Sequence, residues 1–76
     1  MTYEIFGKDN CRYCTQAKEL LDAKGIEYTY IDITHNVGIQ VKMKDNGLNT
    51  VPQIWRDGFH VGGYNELVTR VMKGGK

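Results

Sequence analysis

The sequence holds no apolar run long enough to cross a bilayer, which excludes a membrane-spanning helix within it. Its first residues, Met1-Thr2-Tyr3-Glu4-Ile5-Phe6, lack the basic lead and apolar stretch of a signal peptide, so the reducing cytoplasm is the expected compartment. No block of like charge occurs either. Ten basic and nine acidic residues leave a formal charge of +1, which speaks against nucleic acid or an anionic membrane as the main partner. Cysteine is scarce, with two residues at positions 11 and 14. A bridge between them closes a very short loop and is a poor staple, because the entropy removed from the unfolded chain grows with loop length. A chain of 76 residues is near the size at which one hydrophobic core just suffices. Residues 1–76 are therefore expected to form one domain held by its core, which leaves the cysteines free for chemistry. The single proline, Pro52, precedes a predicted strand, where a missing N–H is tolerated. Repeats and linkers are absent, and Gly74-Gly75-Lys76 reads as a frayed tail.

The elements follow from periodicity and punctuation. Tyr3 to Phe6 is a short β-prone run, bounded by the turn-forming Gly7-Lys8-Asp9-Asn10. From Arg12 the pattern is helical, with Cys14, Ala17, Leu20 or Leu21, and Lys24 at i, i+3 and i+7 spacing, and Gly25 as a left-handed stop. Tyr28 to Ile33 is β-branched and aromatic and predicts a second strand, joined to the first by a parallel crossover. Thr34 is the expected cap of a second helix from about His35 to Asn46, with Gly47 as its stop. Val37, Ile39, Val41 and Met43 alternate in a way a strand would also accept, and length and caps favour the helix. Gln53 to Arg56 and Phe59 to Val61 predict a hairpin around Asp57-Gly58. Gly62-Gly63 opens a last helix, Tyr64 to about Lys73, with Leu67, Val68, Val71 and Met72 facing inward. The order β-α-β-α-β-β-α predicts an α/β fold with a four-stranded mixed sheet flanked by three helices.

Cys11-Arg12-Tyr13-Cys14 takes its meaning from its place at a helix start. Unpaired N–H groups and the helix dipole favour an anion there, and the thiolate is the nucleophilic form of cysteine. Lys8 and Arg12 add positive charge with the same sign of effect. Cys11 is expected to attack a substrate disulfide, and Cys14, one turn on and facing inward, to resolve the mixed disulfide. Two blander readings compete. Free cysteines often serve as small buried hydrophobes, but a chance pair at this spacing on a helix start would be a coincidence. Zinc held by both cysteines with His35 and His60 would need histidines 25 positions apart to act as a close pair, and no second Cys-x-x-Cys exists. A solvated helix-start position for His35 and an edge-strand position for His60 are the expectation, with no metal.

Three motifs in this order resemble the dithiol glutaredoxins of the thioredoxin-like fold. They are Lys8-x-x-Cys11-x-Tyr13-Cys14, Thr50-Val51-Pro52-Gln53 and Gly62-Gly63-Tyr64-Asn65-Glu66-Leu67, and the likeness covers nearly the whole chain. The resemblance implies a thioredoxin-like fold and a cis Val51–Pro52 bond beside Cys11. It implies a glutathione-dependent thiol–disulfide oxidoreductase that reduces protein disulfides and glutathione mixed disulfides, with glutathione as co-substrate. Val51 would then offer its backbone to the cysteinyl residue of glutathione, in the manner of a short added strand. Thr50, Pro52 and Gly63 would border the site. Tyr64 and Asn65 would bind the γ-glutamyl carboxylate at a helix N-terminus, and Glu66 the amino group. Lys8 and Tyr13 match further glutathione-contacting positions.

The chain departs from the family pattern in three places. Glu66 stands where Asp is usual, and Arg12 stands where Pro is usual, which adds charge and removes a rigid ring from the helix start. The second-helix position that commonly meets the glycyl carboxylate falls on Ile39, with Gln40 beside it. A monomer is expected, acting on disulfide-containing proteins, with ribonucleotide reductase among those the resemblance suggests. Two other readings stay open: a glutaredoxin-like electron donor reduced by thioredoxin reductase, and a protein that holds an iron–sulfur cluster with glutathione.

Overall fold

Alternation in Tyr3-Glu4-Ile5-Phe6-Gly7 places Tyr3, Ile5 and Gly7 on one buried face of the first strand, β1 (Tyr3–Gly7). The computed structural model describes residues 2–74, with side chains as far as Met72; Met1, and Gly75 and Lys76 of the expected tail, lie outside the described residues. After β1 come α1 (Arg12–Ala23), β2 (Tyr28–Asp32), α2 (Val37–Asp45), β3 (Gln53–Arg56), β4 (Phe59–Gly62) and α3 (Tyr64–Gly74). The strands form one mixed sheet in the order β2-β1-β3-β4. The β1–β2 pair is parallel, as a helical crossover between them requires, and β1–β3 and β3–β4 are antiparallel. This is the expected β-α-β-α-β-β-α arrangement.

One face of the sheet carries the core. Tyr3, Ile5 and Ile54 meet Ala17 and Leu21 of α1 and Leu67 and Val71 of α3, and all seven are nearly fully buried. Burying a side chain of this kind contributes about 1.5–3 kcal/mol, so these few residues dominate the stability. Lys24, on the same nominal stripe as Leu21, is exposed, because it already caps the helix C-terminus. Gly25 follows with φ 68°, and the N–H groups of Gly25 and Ile26 close back onto Asp22 and Leu21 at 3.1 and 2.9 Å. That is the Schellman closure that a glycine permits. Met72 was expected inside and is exposed: Leu67 and Val71 stack at i and i+4, and position 72 is turned away from them.

The opposite face carries α2 alone. Phe6 and Trp55 pack edge-to-face there, 5.2 Å between centroids, and form a hollow with Ile39, Met43 and Leu48. Only Met43 of α2 is buried, while Val37 and Val41 are exposed, which explains the ambiguous apolar pattern of this segment. The expected Thr34 cap is corrected. Asn36 is the N-cap, its Oδ1 accepting the Ile39 N–H at 3.0 Å, because a turn from Ile33 to Asn36 delays the helix. Thr34 instead ties the chain to the loop before α1. In the hairpin, Asp57 and Gly58 both have positive φ, 50° and 87°, as a type I′ turn demands.

Candidate functional site

Cys11 is the N-cap of α1. Its backbone is extended, its Sγ accepts the Cys14 N–H at 3.1 Å, and its carbonyl accepts the Thr15 N–H at 3.1 Å. A sulfur therefore stands where Ser or Asp usually caps a helix, and both that N–H and the helix dipole favour its thiolate. The Cys11 and Cys14 sulfurs lie at disulfide distance, with Cα atoms 5.2 Å apart. Cys11 is half-buried and Cys14 is 1% exposed, so only the outer sulfur can be reached by an incoming disulfide.

The loop 7–10 that aims Cys11 is anchored from β2 and the turn after it. The Asp9 N–H donates to Thr34 Oγ1 at 2.9 Å. Thr34 in turn donates its N–H and hydroxyl to Asp32 Oδ1 at 2.9 and 2.5 Å. Those two hydrogen bonds from Thr34 hold the Asp32 carboxyl below its ordinary value. A depressed carboxylate adds stability that is fully present above its unfolded-state value, near pH 4, and is lost as pH falls through its lower folded-state value. Urea titrations from neutral pH to about pH 3 are therefore expected to show a steeper loss of stability in the parent than in Asp32→Asn. Parallel profiles would remove Asp32 from the anchor.

On the other side of Cys11, its Sγ lies 3.9 Å from the Val51 carbonyl oxygen, and the Val51–Pro52 peptide is cis. A cavity of about 260 Å³ runs from Val51 to the start of α3, lined by Tyr13, Thr50, Val51, Pro52, Gly63, Tyr64, Asn65 and Glu66. Eight of the sequence-selected residues are thus brought to one surface. Lys8 is exposed and lines a neighbouring hollow of about 310 Å³ that shares Thr50 and Val51. The Tyr13 and Tyr64 rings stand 5.7 Å apart at the rim.

Glu66 reaches back over the glycines, and its Oε1 accepts the Gly63 N–H at 2.7 Å, the reciprocal half of a capping box. Gly62 leaves room for it: a Cβ there would stand 2.7 Å from Glu66 Cγ, and φ of 126° disfavours any other residue. Gln40 also borders the hollow beside Lys8, but its side-chain amide already donates to the Ile33 and Thr34 carbonyls, at 2.5 and 3.1 Å. Its donors hold the β2–α2 turn and are not free for a ligand.

Two features escaped the sequence reading. Gln53 is buried; its amide donates to the Thr50 carbonyl and hydroxyl at 3.0 and 3.2 Å, and its Oε1 takes a hydrogen bond from His60 Nε2 at 2.8 Å. It pins the Thr50–Val51 wall to β4, and its place inside the Thr-Val-Pro-Gln motif was the signal. Gly7, read as turn chemistry, ends β1 directly beneath Cys14, where a Cβ would stand 2.8 Å from the Cys14 sulfur. Among the described residues, no group of three or more His, Cys, Asp and Glu side chains is placed to hold a metal ion. None of the described helices is long and apolar enough to cross a membrane.

Known proteins share this fold. The glutaredoxin family model matches residues 3–61. Glutaredoxin 3 of Escherichia coli K12 is 40% identical over 73 residues, covering 95% of this chain and 88% of its own length. Glutaredoxin 1 of Rickettsia typhi is 39% identical over 69 residues, covering 87% of this chain and 66% of its own length. Among solved structures, the buckwheat glutaredoxin–glutathione complex superposes with a TM-score of 0.83 at 29% identity, over 95% of this chain and 69% of that one. Reduced E. coli glutaredoxin gives 0.74 at 33% identity, over 96% and 95%. With a reachable sulfur capping a helix and a buried one at disulfide distance from it, this chain belongs to the glutaredoxin family of thiol–disulfide oxidoreductases.

Proposed function

We propose that the protein reduces protein disulfides and glutathione mixed disulfides at the expense of glutathione. The observation that carries this reading is the cavity beside Cys11, which ends at the N-terminus of α3 and begins at Val51, 3.9 Å from the reactive sulfur. Glutathione is an extended tripeptide with a carboxylate and an amine at its γ-glutamyl end. The cysteinyl backbone pairs with Val51, and Thr50 and Pro52 wall that strand-like seat. The carboxylate meets the N–H groups of Tyr64 and Asn65, in the way helix starts bind anions. The Glu66 oxygen not engaged by Gly63 faces the amine, while Tyr13 and Lys8 close the near side. The buckwheat relative, of the same fold, is a glutathione complex, which supports the assignment.

In turnover the Cys11 thiolate attacks the substrate disulfide, forming a mixed disulfide and expelling one thiolate. When the adduct is with glutathione, a second glutathione thiolate attacks the glutathione sulfur, releasing oxidised glutathione and restoring Cys11. When the adduct is with a protein, Cys14 displaces the reduced protein and the Cys11–Cys14 bond forms, to be reopened by glutathione. Glutathione acts as a co-substrate, and the reading assigns no metal. The protein works as a cytoplasmic monomer on disulfide-containing proteins, among which ribonucleotide reductase is one to test.

NADPH-coupled reduction of a small glutathione mixed disulfide tests the reading. Turnover is expected with glutathione and glutathione reductase and not with thioredoxin reductase alone. The reverse result would keep Cys11 and Cys14 as the redox pair but cancel the glutathione site. A visible absorption band in protein purified without oxygen would instead favour the iron–sulfur role.

A further inference from the structure

Opening the Cys11–Cys14 bond poses a problem that glutathione recognition does not solve. An incoming thiolate attacks Cys11 Sγ and forms a mixed disulfide with it; the Cys11–Cys14 bond breaks, and its electron pair leaves on Cys14 Sγ. Cys14 is 1% exposed, so the departing thiolate forms away from bulk water. A buried anion without a hydrogen-bond donor is strongly disfavoured. The Cys14 backbone N–H is directed at Cys11 Sγ, not at its own sulfur.

One side chain is built to answer this. The parallel register sets Tyr30 beside Ile5, one pleat short of Gly7, so its ring lies on the α1 face and its hydroxyl reaches over Gly7. The absent Cβ of Gly7 is what lets it in: a Cβ there would overlap the Tyr30 hydroxyl and also stand 2.8 Å from Cys14 Sγ. Hydroxyl and sulfur therefore border the same small space. Lys18 Nζ sits 4.1 Å from the centre of the Tyr30 ring and holds it from the α1 side. The hydroxyl's present partner is the Lys8 carbonyl, at a long 3.4 Å, so little is lost if it turns away. Burial, with Asp32 and Asp9 nearby, pushes the phenol above its ordinary value, which keeps its proton in place at neutral pH.

We propose that Tyr30 is a positioning residue for Cys14, its hydroxyl turning from the Lys8 carbonyl to donate a hydrogen bond to the Cys14 thiolate whenever the Cys11–Cys14 bond opens or is about to close. A hydrogen-bonded thiolate is a better leaving group, so the donor accelerates opening of the disulfide. By microscopic reversibility it stabilises the same transition state when Cys14 attacks the Cys11 mixed disulfide. The inference rests on the dithiol branch of the function proposed above.

The test is the rate at which 2-mercaptoethanol opens the Cys11–Cys14 disulfide, followed by acid quench, alkylation and mass spectrometry. This reductant makes the result independent of any glutathione site. Tyr30→Phe, which keeps the ring and its Lys18 contact, is expected to slow opening about tenfold, the effect of losing one hydrogen bond to a charged group. The second arm puts Tyr30→Phe into Cys14→Ser protein carrying a Cys11–mercaptoethanol adduct, and measures reduction of that adduct. No Cys14 thiolate forms there, and the tenfold factor is expected to vanish, as a double-mutant cycle requires of a specific coupling. Equal opening rates in parent and Tyr30→Phe would overturn the proposal. An equal loss in both backgrounds would overturn it too, because it would mean that Tyr30 merely supports the loop 7–10. Failure of the glutathione reading appears only in the NADPH-coupled assay and leaves this comparison intact.

Discussion

Cys11→Ser protein is expected to lose disulfide reduction by more than about a thousandfold, whichever disulfide is offered, because a serine hydroxyl cannot replace the thiolate as nucleophile. The loss follows from position. Cys11 is the outer sulfur, with the Cys14 N–H at 3.1 Å, while Cys14 is enclosed and cannot take over the attack. Cys14→Ser is expected to behave differently, keeping turnover on glutathione mixed disulfides, where glutathione itself resolves the adduct, while losing it on protein disulfides. Both variants are read in the NADPH-coupled assay, with thermal melts to show that each is folded. A Cys11→Ser protein active at the parent rate would defeat the mechanism, and a Cys14→Ser protein equally active on both substrates would remove the dithiol branch.

Ile54→Ala is expected to remove about 3 kcal/mol of stability, the usual result of truncating a fully buried aliphatic side chain. Ile54 pairs with Ile5 across β1–β3, is fully buried, and lies in the core cluster with Leu21 and Leu67. In a domain of this size the loss corresponds to a fall in melting temperature of roughly 15 °C. Ile54 also follows Pro52-Gln53 directly, so a loosened β3 would slacken the wall of the cavity before the protein melts. Phe59→Ala is the matched control: the ring is larger but 76% exposed, and a change within about 0.5 kcal/mol is expected. Circular dichroism melts of the two variants decide the point. A small shift for Ile54→Ala would mean that the core repacks around the vacancy.

Much of this protein was written in local signals. Period-two and period-3.6 patterns, with Gly25 and Asp57-Gly58 as punctuation, marked the elements other than α2 to within a few residues, and length with the Gly47 stop marked α2, because those signals act between neighbours in the chain. The redox pair was equally legible, since Cys11 and Cys14 share one helical turn. Where several weak local preferences competed, the tertiary structure chose. Thr34 is the cap that local sequence offers for α2, and Asn36 takes its place because the turn from Ile33 to Asn36 delays the helix and the Thr34 hydroxyl is engaged by Asp9 and Asp32. Glu66 became the cap of its own helix, since Gly62 and Gly63 leave the space in which it folds back.

The sequence by itself determined the element order and type, the helix-start position of the cysteine pair and, by resemblance, the family. Beyond the Val51–Pro52 turn that the resemblance places beside Cys11, only the tertiary structure decided what surrounds the two sulfurs. Val51 meets Cys11 across forty positions, and Tyr30 reaches the space beside Cys14 because β2 lies parallel to β1 in one particular register. Contacts of that kind depend on which strands pair and in what register, and in a sheet a slip of one residue turns each side chain to the other face. No pattern along the chain records that choice, which is made by the burial of Ile5, Ile54, Leu21 and Leu67 in a single core.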